Sequence, residues 1–310
     1  MIKKINRHKS LTGFHLKLTA LICMIIDHIA YVIPLEWLPY SVLRAIGRIA
    51  FPLYAFLVAE GCRHTSNRER YLLRLGLLAL ISEIPFDLTF NGGNISFFSV
   101  TNVFYTLFFS VASIHIYETL RRQKQPIQLL AASFCAVLIL LCLFITQFSG
   151  GSAYPIMMAV FLYLAFLLLG CRYLQECEET CRGDFASNIL PLLPILPILF
   201  LSVVIGCDYD LFGVLLIQCL YIANTHRKQI VVLCAGIVYE YGFSPIFNAL
   251  RYGGRIIGGG IILQLGFALV AVLLAALYNG QRGKNVKWAF YWSYPAHISV
   301  LAILQWFCLK

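Results

Sequence analysis

Charge is scarce in this sequence. Only 12% of its residues are Asp, Glu, Lys or Arg, about half the share of an average soluble domain. With 60% hydrophobic residues and a mean hydropathy of +0.80, that deficit excludes water as the main solvent. Polar intervals are missing as well: apolar stretches of about 20 residues, the length that crosses a hydrocarbon core, recur from Leu16 to Trp306 with no gap large enough for a soluble domain. Metal-binding cysteine spacing is also absent. Most of the 11 cysteines lie inside apolar runs, where a thiol packs as a small hydrophobe. Cys171, Cys177 and Cys181 share a polar loop, but their spacing fits no CxxC pattern and no His is near, so no metal is expected. Acidic residues are few, 14 against 24 basic ones. Yet the excess forms no basic face or module, so nucleic acid is not an expected partner.

What is present is a multispanning pattern. Apolar runs predict an all-α, polytopic bundle of about 11 spans, at 16–35, 41–62, 71–90, 102–120, 127–148, 154–173, 188–206, 210–224, 229–243, 257–278 and 288–308. The stretch 225–256 is the weakest part of this alternation and is open to a re-entrant reading. The basic start (Lys3, Lys4, Arg7, Lys9) resembles a signal peptide. The apolar run after it is long, carries Asp27 and His28 and lacks a cleavage site, so it is expected to stay as the first span. With a cytoplasmic N-terminus, 19 of the 24 basic residues fall on the inner side, the asymmetry that orients multispanning proteins. The expected organisation is a basic cytoplasmic segment at 1–15 and one transmembrane domain at 16–310, in a plasma membrane, with lipid as a partner.

Ionisable groups inside a bilayer cost at least a few kcal/mol each and mark function or a partner. Here they concentrate in the first three spans: Asp27, His28, Arg44, Arg48, Glu60, Glu83 and Asp87. Lys17 and His28 share a helix face, because eleven steps of about 100° return to within roughly 20° of the start while rising about 16 Å. An ammonium at the inner leaflet and an imidazole near mid-membrane suit an anionic donor entering at one and reacting at the other, with His28 as general base. The plainer alternative is a topology charge and a satisfied core histidine. Asp27, a candidate catalytic residue with His28 and Arg48, points away from that face, and its partner is expected on another helix. Arg44 and Arg48 lie one turn apart, ahead of Pro52; each needs an anion, from a carboxylate or, for Arg48, a developing oxyanion. Glu83 and Asp87 flank Pro85 and could orient His28, pair with arginine or carry protons. His297, in a span kinked by Pro295, is a further candidate. Arg63, Arg68 and Arg70 could hold donor phosphates, or only set topology.

The strings IDHIA, GRIAFPLYAFLVAEGCRHTSNRERYLLRLGLLALISEIPFD, NVFYTL, DYDLFGVLLI, YNGQRGK and FYWSYPAHI resemble the TraX family, whose founding member acetylates the N-terminus of conjugative F pilin. That family in turn resembles membrane acyltransferases that acetylate cell-surface sugars, in which a basic residue, ten intervening residues and a histidine handle acyl-CoA; Lys17 and His28 match that spacing. The resemblance implies acetyl-CoA or another acyl-CoA as donor substrate. It implies a peptide or glycan acceptor offering an amine or hydroxyl. The DGLRG and FFxxSG strings of the sugar acetylases are absent. The rival expectations are a proton-coupled transporter using Asp27, Glu83 and Asp87, and a non-enzymatic membrane assembly factor.

Overall fold

The structure is a computed structural model that describes residues 10–33, 39–93, 100–122, 190–252 and 259–308. The expected spans at 127–148 and 154–173, the loop bearing Cys171 to Cys181, and most of the basic N-terminal segment and of the glycine-rich stretch lie outside these residues. The described chain is helical: α1 (Gly13–Val32), α2 (Tyr40–Gly47), α3 (Ala50–His64), α4 (Arg68–Phe90), α5 (Val103–Arg121), a 3-10 turn (Leu190–Ile195), α6 (Leu196–Val204), α7 (Asp210–Ile222), α8 (His226–Val238), a π turn (Tyr239–Phe243), α9 (Ser244–Tyr252), α10 (Gly259–Ala276) and α11 (Lys287–Cys308). Among the described residues four helical stretches are long and apolar enough to cross a membrane: Gly13–Val32, Tyr40–His64, Val103–Arg121 and His226–Arg251.

The chain forms two compact units, each built from separated segments. One comprises Met1–His64, Leu80–Ile95 and Cys219–Lys310; the other comprises Thr65–Ala79 and Ser96–Gln218. In the first, α1 packs on α2, α3 and α11, while α10 packs on α2, α3 and α8. In the second, α5 packs on the 3-10 turn and on α6.

Local chemistry explains where the helices break. The span expected at 41–62 is two helices, because Pro52 has no N–H to return to the carbonyl of Arg48. The chain tightens there instead, with the N–H groups of Arg48 and Ile49 donating to Ala45 O and Ile46 O at 3.0 and 3.1 Å. Pro52 then sits in the first turn of α3, where a missing donor costs nothing. In the stretch open to a re-entrant reading, the described residues form a continuous run from α8 through the π turn into α9, and the glycines at 253–258 lie outside the described residues. The second half of α4 buries polar groups and exposes apolar ones: Leu80, Ile81, Ile84 and Leu88 are exposed, while Ser82, Glu83, Asp87 and Thr89 are buried beside Phe86. Exposed apolar side chains with buried polar ones is the arrangement a hydrocarbon solvent selects.

Candidate functional site

Helices α1 and α11 lie side by side and run in the same direction. Their starts are clamped together by backbone: the N–H groups of Gly13 and Phe14 donate to the carbonyls of Gln281 and Arg282 at 2.8 and 2.9 Å, and Leu11 exchanges bonds with Leu277 and Asn279 at 3.1 and 2.9 Å. Gly283 makes this clamp possible. It holds φ +73°, and a Cβ there would overlap the Thr12 hydroxyl. One turn beyond the clamp, Lys17 lies within reach of the charges of Arg282 and Lys287. Eleven residues beyond Lys17, His28 meets His297, ten residues beyond Lys287. The two rises, about 16 and 15 Å, keep the helices in register.

His28 Nδ1 lies 2.8 Å from His297 Nε2, with the ring planes within 12° of each other. Near-coplanarity is what an in-plane N–H meeting an in-plane lone pair requires. Proton positions follow from the next contact. His297 Nδ1 lies 2.7 Å from the carbonyl oxygen of Ser293, and a carbonyl can only accept, so His297 Nδ1 carries the hydrogen. In neutral His297 the Nε2 is then an acceptor, His28 Nδ1 must donate to it, and His28 Nε2 is left with its lone pair. This chain of two bonds, assigned by network logic, fixes His28 as a base rather than a donor at its outer nitrogen. Phe90 and Tyr294 flank the ring, with centroids 5.1 and 6.0 Å away.

Asp27, one position back, faces another way. Its Oδ2 forms an ion pair with Arg44 Nη1 at 2.7 Å, and its Oδ1 lies against Gly47, where any Cβ would overlap the carboxylate. Glycine at 47 lets α2 approach α1 closely enough for the pair to form. Arg44 also lies over the Tyr31 ring at 5.6 Å, and the charge of Arg48 reaches Asp27. Asp27 therefore anchors the two helices and does not touch the histidine pair through any hydrogen bond. Glu83 and Asp87 are fully buried in the second half of α4. Asn91 Nδ2 donates to Asp87 Oδ1 at 2.6 Å, and Thr89 Oγ1 donates to Pro85 O at 2.8 Å.

Arg63, a sequence candidate for donor phosphates, is occupied elsewhere. Its Nη1 donates to Glu60 at 2.6 Å, and its Nη2 lies 2.6–2.7 Å from the carbonyls of Leu220, Tyr221 and Ala223, capping the end of α7. A guanidinium so used stabilises helix-end carbonyls and has little left for a ligand. Glu60 also accepts from Gln229 Nε2 at 2.8 Å. Arg68 and Arg70 open α4 in the second unit; the N–H of Arg70 bonds the Asn67 side chain at 2.8 Å in a helix cap. Sequence reasoning missed the proximity of Arg282 and Lys287 to Lys17 and the directing role of Ser293. A signal was available: Lys17 to His28 and Lys287 to His297 are two nearly equal lysine-to-histidine intervals on two spans.

A family model described as TraX protein matches residues 12–178, more than half of the 310 residues. The chain belongs to the TraX family. Among curated proteins it is similar to "Probable fimbrial assembly protein FimC, serogroup H1" of Dichelobacter nodosus, 27% identical over 217 residues that cover 63% of this chain and 84% of that protein. No solved structure matches it. The part of α1 that carries Lys17, Asp27 and His28 lies inside the TraX match, whereas His297 and the 278–287 loop lie beyond it.

Proposed function

We propose that this TraX-family chain is a membrane-embedded acyltransferase, acetyl-CoA being the favoured donor, that modifies an amine or hydroxyl of a surface or membrane-associated acceptor such as a pilin-like peptide or a glycan. The observation that carries the reading is the His28–His297 bond of 2.8 Å, directed by Ser293. It leaves His28 Nε2 unprotonated, on a ring flanked by Phe90 and Tyr294. The family and the fimbrial assembly relative support a surface-appendage acceptor.

In the proposed reaction the acceptor's N or O attacks the thioester carbonyl carbon while its proton passes to His28 Nε2. The imidazolium so formed is stabilised through Nδ1–H···Nε2 of His297, a bond that strengthens when its donor becomes charged. The tetrahedral oxyanion needs a cation or donor, and Arg48 is the candidate. Collapse breaks the C–S bond, and the departing thiolate takes the proton back from His28, so the enzyme ends unchanged. His28 is the proposed catalytic residue; His297 is a positioning residue.

Purified protein incubated with labelled acetyl-CoA and membrane extract should pass label to a discrete acceptor and release CoA thiol, and His28→Ala should do neither. Equal transfer by wild type and His28→Ala would remove the reading. If no transfer occurs, CoA is not released and a surface-appendage subunit co-purifies regardless of His28, the chain is an assembly factor instead. Substrate flux in proteoliposomes without CoA release would favour transport.

A further inference from the structure

Four cations converge where α1 and α11 begin. Lys17 is half-buried on α1, and the charges of Arg282 and Lys287 both reach it. Lys284 extends over the Phe14 ring at 5.9 Å, and Lys287 over Trp288 and Tyr291 at 5.8 and 5.9 Å. The loop from Leu277 to Lys287 contains no acidic residue, and neither does the first turn of α1. Among the described residues none of Lys17, Arg282 and Lys284 has a carboxylate partner; Arg282 bonds only the amide of Asn285, at 2.7 Å.

Orientation statistics ask that positive charge lie on the inner side; they do not ask that like charges be held together. Here they are held together, by the backbone clamp and by a glycine whose positive φ that clamp requires. Like charges gathered at one end of a helix pair repel, and a bound anion converts that cost into affinity. The first N–H groups of α1 are already bonded to loop carbonyls, so the recognition elements are side chains rather than a helix end. Arg282 offers a planar fork, and the lysines offer point charges beside aromatic faces. This combination suits several phosphates next to a flat ring.

We infer that Lys17, Arg282 and Lys287, with Lys284 at the rim, form the site for the phosphates of the donor's nucleotide end. This rests on the acyl-transfer reading. It places the nucleotide at the clamped end of the α1–α11 pair, about 16 Å along α1 from His28. An acyl-pantetheine arm of extended length spans that interval. The arginines at 63–70 are not needed for it.

The test uses the full chain in nanodiscs of neutral phosphatidylcholine, titrated with CoA and with 3′,5′-ADP, the phosphate-bearing part of CoA. Wild type binds both, Arg282→Ala and Lys287→Ala each weaken binding by about tenfold or more, the worth of a hydrogen bond to a charged group, and His28→Ala binds normally. The exposed-charge control Lys228→Ala is unchanged. If an alanine variant does not elute as a single species, Arg282→Gln and Lys287→Met take its place, and Arg282→Lys should recover part of the affinity. Tight CoA binding unaffected by Arg282 and Lys287 overturns this site and leaves acyl transfer standing. No CoA binding by wild type overturns both. Retention of anionic lipid by the same residues, undisplaced by CoA, makes the cluster a headgroup site and also overturns the inference.

Discussion

Two histidines in the two compact units make an instructive pair. His28, on α1, is bonded to His297, which is bonded in turn to the Ser293 carbonyl. His115, on α5 in the other unit, is 2% exposed, and neither of its ring nitrogens has a hydrogen-bond partner among the described residues. Both lie in apolar helices and both would read from sequence as intramembrane ionisable groups. The difference is direction. A two-bond chain ending on a carbonyl dictates which nitrogen of His28 holds a proton, whereas among the described residues no hydrogen bond directs His115 to give or take one.

Substitutions can break this contrast. The largest effect is expected at His28: His28→Ala should lower the rate of acyl transfer by about 10²–10⁴, the usual range for a general base. His115→Leu should leave transfer within about twofold and leave the melting temperature in detergent unchanged or raised, since it replaces a buried polar group that has no hydrogen bond among the described residues with an apolar one. Equal losses at both positions, measured as CoA thiol release with a melting curve for each variant, would erase the distinction.

His297 sharpens the comparison next. His297→Ala should cut kcat by about tenfold to a hundredfold with KM for acyl-CoA little changed, the mark of an interaction made in the transition state. His297→Gln, whose amide oxygen can accept from His28 Nδ1–H, should recover part of kcat. A loss carried by KM, or no rescue by Gln, would show that His297 only packs.

The Asp27–Arg44 pair belongs to a smaller class of effect, on stability. Arg44→Ala leaves a largely buried carboxylate with only the charge of Arg48 to offset it and should cost about 2–4 kcal/mol, whereas the double change Asp27→Asn with Arg44→Ala should regain much of it, read from denaturation in detergent. Gly283→Ala comes last: the φ of +73° alone should cost about 1–2 kcal/mol, and the overlap of its Cβ with Thr12 adds to that. If the clamp positions the cation cluster, the same variant should weaken CoA binding more than it lowers the melting temperature.

Much of the helical layout was legible because hydrocarbon imposes a simple demand: long apolar runs with every backbone group bonded internally. The first, fourth and last predicted spans correspond to α1, α5 and α11 within a few residues. Less legible were breaks decided by single residues, such as the turn at Arg48 that Pro52 forces. Within the site, the shared face of Lys17 and His28 follows from helix period alone. What those side chains meet does not, because it depends on which distant span packs against α1. Nothing in Lys17 announces Arg282, and nothing in Arg44 selects Asp27 over Glu83 or Asp87 as its partner. Arg63 shows the converse: a basic residue in the last turn of α3, plausible as a ligand, is consumed by helix-end carbonyls 157 to 160 positions away.

Nitrogen-15 NMR of histidine-labelled protein in lipid bilayers addresses the core of the account most directly, with His28→Ala and His297→Ala used to assign the signals. The expected spectrum has His28 protonated at Nδ1 and bare at Nε2 near neutral pH, with a coupling across the hydrogen bond to His297 Nε2. A His28 protonated at Nε2, with no coupling to His297, would leave no base at the proposed position and would contradict it.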